Sequence, residues 1–202
     1  MTGLLLKDGY TMLRQAKFFL VMVVILAFLP SDFVYGYAIF YAALLTTTAL
    51  TYDQRVKWDN LANMFPYTAG QIVGSKYLAG YLSVTIAVIL SICGRYANAL
   101  LDGRPATSME LATPLIIGCA ATVMSAIYLP FAFWIGEEKG RLIFVLFTVV
   151  SIIGLMSIIE TDALSMLNIN LMLLLLAALG LTIAINFISF LAAIFLYKRR
   201  KV

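Results

Sequence analysis

The chain has 202 residues, of which 63% are hydrophobic and only 12% charged. A soluble domain carries about 25% charged residues, so most of this surface does not face water. The net charge is +4, and the basic residues punctuate apolar runs instead of forming the stripe of a nucleic-acid binder, so no nucleic-acid partner is expected. There are no histidines and two cysteines, Cys93 and Cys119, which excludes a His/Cys zinc cage and a His-based triad. Both cysteines lie in apolar stretches and read as small buried hydrophobes, with a disulfide or redox pair as the alternative.

An amphipathic arm comes first. At 100° per residue Lys7, Asp8, Thr11, Arg14 and Gln15 share one side, and Leu5, Leu6, Tyr10, Met12 and Leu13 share the other. Such a helix would lie on a membrane surface. It is either an anchor or a docking element for a cytoplasmic partner.

Six strongly apolar stretches free of Asp, Glu, Lys and Arg stand out: 18–31, 33–52, 77–94, 111–136, 142–159 and 163–197. A bilayer crossing needs about 20 apolar residues. The first stretch, at 14 residues, is short and needs Arg14 and Lys17 to snorkel. It ends in Ala27-Phe28-Leu29-Pro30, not in a small-x-small cleavage site. The expectation is an all-α integral membrane protein, one domain over residues 1–202, with six transmembrane helices. With both termini cytoplasmic, 12 of the 14 basic residues fall inside, and only Arg95 and Arg104 fall outside.

The loop 52–76 is too long for a simple connection between bundled helices. Asp53, Arg55, Lys57 and Asp59 carry both signs of charge, and Trp58, Leu61, Ala62 and Phe65 are spaced at threes and fours. Pro66 stops that helix, and Thr68 with Gln71 forms a capping box for the next. The loop is either a solvated connection tied down by Trp58 and Phe65, or a lever moved by a soluble protein.

Two catalytic look-alikes fail. Gly70-Gln-Ile-Val-Gly74-Ser75-Lys76 lacks the spacing and order of a phosphate loop, so any ATP is hydrolysed by another polypeptide. Glu137-Glu138-Lys139-Gly140-Arg141 resembles a protease motif that needs histidines, and reads as a short turn. No ionisable residue sits well inside any stretch, which argues against proton coupling, a voltage sensor or a charged filter. Thr47 and Asn186 are candidates for lining a substrate path, Asn186 equally for interhelical hydrogen bonding. Pro114 and Pro130 should kink the fourth span near its ends, and Gly118 with Thr122 is a candidate close-packing face.

Three motifs in order carry a family resemblance. They are Gly3-Leu4-Leu5-Leu6-Lys7-Asp8, the run Tyr52-Asp53 to Lys76-Tyr77 with Lys57-Trp58-Asp59 and Phe65-Pro66 inside it, and Leu129-Pro130 with Gly136-x-x-Lys139-Gly140-Arg141. The chain resembles ABC-2 type transporter permeases of the compact six-helix group, among them exporters of phenol-soluble modulins and antimicrobial peptides. The resemblance implies a connecting helix at 1–17 and a cytoplasmic coupling helix between spans 2 and 3. Trp58 and Phe65 would anchor it in an ABC ATPase, with Pro66 closing it and Asp53, Arg55, Lys57 and Asp59 setting specificity at the rim. It implies a second permease chain, surrounding lipid, ATP and magnesium held by the partner and no cofactor on this chain, in a bacterial cell membrane. The cargo would be an amphipathic or antimicrobial peptide or another hydrophobic molecule. A non-transporting immunity or scaffold protein that sequesters a toxic peptide is the competing class; an intramembrane enzyme has no residues to work with.

Overall fold

The computed structural model describes residues 2–15, 17–29, 32–56, 58–62, 64–136, 142, 145–146, 149–150 and 171–200. Among these every element is helical. The helices are α1 Thr2–Gln15, α2 Lys17–Phe28, α3 Asp32–Arg55, α4 Trp58–Ala62, α5 Ala69–Leu101, α6 Ser108–Ile135 and α7 Leu171–Arg200. The fifth predicted span and the 137–141 turn lie almost wholly outside the described residues.

Three described helices, at Ala69–Leu101, Glu110–Ile135 and Leu176–Arg199, are long and apolar enough to cross a bilayer. α3, with 24 residues, reaches about 36 Å at 1.5 Å per residue. α2 has only 12 residues and reaches about 18 Å, well short of the ~30 Å hydrocarbon layer.

Helices outrun the apolar stretches that announced them. α3 continues through Asp53 and Arg55, and α5 takes in both Lys76 and Arg95. The reason is that charge limits how deep a residue sits in lipid, whereas helix continuation needs only the absence of breakers. The expected coupling helix over 53–65 is therefore divided. Its first residues are the last turn of α3, α4 supplies one short turn, and residues 64–66 form a turn before Thr68. The Thr68–Gln71 capping box forms as expected, and a second one, Thr107–Glu110, starts α6.

Two apolar clusters hold the bundle. At one end Leu4, Leu50, Ala62, Ile72, Val73, Tyr77, Tyr128, Phe133, Ala193 and Tyr197 gather residues from α1 and α3 to α7. The start of α1 and the end of α7 thus lie at the same end. Further along, Val23, Ile39, Ala42, Val84, Ala87, Val88 and Ala121 join α2, α3, α5 and α6. The outer surface is apolar too: Phe18, Val24, Leu82, Ile86, Ile183, Phe187 and Leu191 are exposed, while Thr46, Ser75, Ser91, Ser125, Asn186 and Ser189 are buried. That inversion suits a surface wetted by lipid.

The prolines of α6 explain how it is held. A proline has no N–H and leaves the carbonyl four residues earlier without its helical donor. Pro114 frees the Glu110 carbonyl, and the Arg95 guanidinium of α5 donates to it at 2.9 Å. Pro130 frees the Ala126 carbonyl, and the Ser189 hydroxyl of α7 donates to it. With that hydrogen spent, Tyr77 of α5 must be the donor in its 2.6 Å contact with Ser189. One turn away, Tyr81 donates to Asn186 at 2.7 Å.

Glycine sets the closest approach. A Cβ on Gly94 of α5 would stand 2.1 Å from the Ala27 carbonyl oxygen of α2, so the two backbones touch. A Cβ on Gly118 would meet the end of the Val88 side chain at 2.7 Å and Val84 at 4.0 Å, which places the predicted small-residue position against α5.

Two predictions follow from this packing. Gly94→Ala should lower stability in detergent by about 1–3 kcal/mol through overpacking, whereas Gly180→Ala, which meets nothing within 4 Å, should leave it unchanged or raise it. Thermal unfolding of the two purified variants decides. Ser189→Ala should cost about 1–3 kcal/mol by orphaning a buried carbonyl, and much less when Pro130→Ala restores the helical donor. A double-mutant cycle measures the difference.

Candidate functional site

The end of the bundle that carries α1, α4 and the base of α5 holds a cluster of four charges. Lys76, in the second turn of α5, is 3% exposed. A buried ammonium needs compensating charge, and two other helices supply it. Asp8 of α1 accepts from Lys76 at 2.6 Å, and Asp53 in the last turn of α3 accepts as well. Lys7 of α1 then donates to both oxygens of Asp53, each at 2.7 Å, and stands 3.1 Å from Asp8. Two ammonium groups face two carboxylates, so the cluster is neutral. The Lys7 ammonium also lies 4.3 Å from the centroid of the Trp58 ring, a cation–π contact that brings in α4.

This geometry fixes how α1 sits. Its polar side, with Asp8 buried, turns toward the bundle, and Leu6, Tyr10 and Leu13 are exposed on the other side. Among its described side chains only Leu4 and Asp8 are buried.

The residues expected at a docking surface separate into two groups. Asp53 is buried against Lys7 and Lys76, and so faces inward and not onto a rim. Trp58 is partly buried and packs against the basal apolar cluster. Arg55, Phe65 and Pro66 are exposed. Lys57 and the side chain of Asp59 lie outside the described residues. Around Phe65 the sequence reading underweighted three neighbours: Leu61 and Val56 are exposed, and Met64, at 81%, is among the most exposed apolar side chains described. Their spacing with Phe65, four residues from Leu61 and next to Met64, was the available signal.

Neither candidate for a substrate path faces open space. The Thr47 hydroxyl is buried and donates to the Leu44 carbonyl at 2.7 Å. Asn186 is buried, accepts from Tyr81 and donates to the Thr182 carbonyl at 2.8 Å. The Thr47 bond stays within α3, whereas Asn186 links α7 to α5 through Tyr81. The phosphate-loop look-alike from Gly70 to Lys76 is continuous α5 helix, with no turn to cradle a phosphate.

The basal cluster joins Lys7-Asp8, Asp53 and Lys76, three points distant in sequence that sit in two of the motifs carrying the family resemblance. No curated protein and no solved structure shows a significant match to the chain. A family model described as "ABC-2 family transporter protein" matches residues 3–198. With nearly the whole length matched, and helices of membrane-crossing length and apolarity, the chain belongs to the ABC-2 transporter family and is a membrane protein of the permease type.

Proposed function

We propose that this chain is the membrane permease subunit of an ATP-driven exporter, moved by a separate ABC ATPase that docks on the connection between α3 and α5. The carrying observation is an exposed apolar set, Leu61, Met64 and Phe65, on a connection rooted in buried charges. Exposed apolar side chains gathered beside charged ones mark an interaction surface. On this reading Phe65, Met64 and Leu61 are the anchors, and Pro66 ends the anchor segment. Arg55, Lys57 and Asp59 stand at the rim, where charge sets partner choice more than affinity. Asp53 and Trp58 work from inside, holding the connection to the bundle.

The cluster end then faces the cytoplasm of a bacterial cell, with both termini on that side. The described basic residues support this sidedness: Lys7, Arg14, Lys17, Arg55, Lys76, Lys198 and Arg199 gather at that end, against Arg95 and Arg104 at the other. ATP and magnesium stay in the partner. Two permease chains enclose the route between them, and the outward Leu82, Ile86 and Ile89 of α5 offer an apolar surface for lipid or a second chain. Cargo is an amphipathic peptide or another hydrophobic molecule, as the family resemblance implies.

Co-expression with an ABC ATPase encoded beside this chain should give a complex. Phe65→Ala should weaken it about tenfold or more, as loss of a central aromatic anchor does, without altering the melting of the permease alone. Trp58→Ala should instead lower the permease's own stability by about 1–2 kcal/mol. A complex of unchanged affinity after both Phe65→Ala and Met64→Asp would defeat the docking assignment. In a Cys93→Ala/Cys119→Ala chain, impermeant thiol labelling of Met64→Cys in intact cells should fail; labelling from outside would reverse the topology.

A further inference from the structure

We infer that Lys76 is a positioning residue that fastens the base of α5 to α1 and to the end of α3, so that these elements move as one body. For its consequence in transport the inference rests on the exporter reading; for its mechanics it does not. α1 has little else to hold it, since Leu4 is its one buried apolar side chain among those described. So small an apolar contact resists sliding only weakly, since dispersion energy grows with the number of contacts made. An ammonium shared by two carboxylates resists it more firmly. Any slip of α5 relative to α1 separates Lys76 from Asp8, and any slip relative to α3 separates it from Asp53. Either movement removes one of the two carboxylates that compensate the buried Lys76 ammonium, which proteins tolerate poorly. Asp8 shows how the site is built: its second oxygen is buried with no hydrogen-bond partner, and its first lies 2.6 Å from Lys76 and 3.1 Å from Lys7. A push on the α3–α5 connection therefore reaches α5 and α1 together, not α4 alone.

The test uses the full chain in nanodiscs, with Cys93→Ala and Cys119→Ala as parent and spin labels at Leu13 on α1 and Leu82 on α5, both exposed. The parent should give one narrow distance distribution. Lys76→Met should broaden it. The charge-balanced Lys76→Met/Asp8→Asn chain keeps Lys7 with Asp53 and buries no unpaired charge, so it should melt near the parent yet stay broad. A narrow distribution in that double variant overturns the inference. A second arm adds the co-expressed ABC ATPase in inside-out vesicles with a fluorescent amphipathic helical peptide. Peptide moved per ATP hydrolysed should fall at least fivefold in the double variant, with ATP hydrolysis maintained. An unchanged ratio overturns the role of Lys76 in transmission. If the parent itself moves no peptide and binds no ATPase, the exporter reading falls, and the distance measurement still decides what Lys76 fastens.

Discussion

An ammonium group withdrawn from water must find negative charge inside the protein, and at the base of this bundle Lys76 finds it on two other helices. Asp8 arrives from α1 and Asp53 from α3. The orientation of α1 follows. An amphipathic helix would ordinarily turn its charged side to water, but here the charged side is drawn inward and Leu6, Tyr10 and Leu13 are left outward. The position of α4 follows as well, because Lys7 bridges Asp53 and the face of Trp58. A surface loop would have no such root.

The same requirement governs the backbone. In an apolar surrounding every carbonyl must be satisfied within the protein. Each proline of α6 breaks that condition once, and each broken bond is repaired by a neighbour: Arg95 from α5 at one end, Ser189 from α7 at the other. The repairs are directional, so they fix how α6 is rotated against its partners more tightly than apolar packing does. Tyr77 extends one repair into a chain of donors from α5 through α7 to α6. Each proline thus provides a socket for a donor from a neighbouring helix.

These two devices give the ends of the bundle different characters. The base is tied by compensated charge and carries the exposed apolar Leu61, Met64 and Phe65 beside it. The opposite end is tied by close backbone contact at Gly94 and by the capped start of α6, where Arg104 pairs with Glu110 at 2.7 Å. The two ends of the bundle thus differ in the kind of interaction that holds them.

Composition and local sequence determined on their own that this chain is a membrane protein and that Thr68 starts a helix after Pro66. Those are properties of single residues and their immediate neighbours, and hydropathy, capping and proline geometry express them locally. The ends of the helices were less legible, because an apolar run measures depth in lipid and not helix length, which is why Arg95 read as lying beyond the end of its span. Asp53 read as a rim charge for the same reason: nothing near it in sequence says that Lys7 and Lys76, 46 and 23 residues away, close on it. Only the tertiary structure decided which carboxylate compensates which ammonium, and which hydroxyl answers which proline. Pairing depends on distance in space, and helices that are apolar on every side leave no periodic trace of which face meets which neighbour.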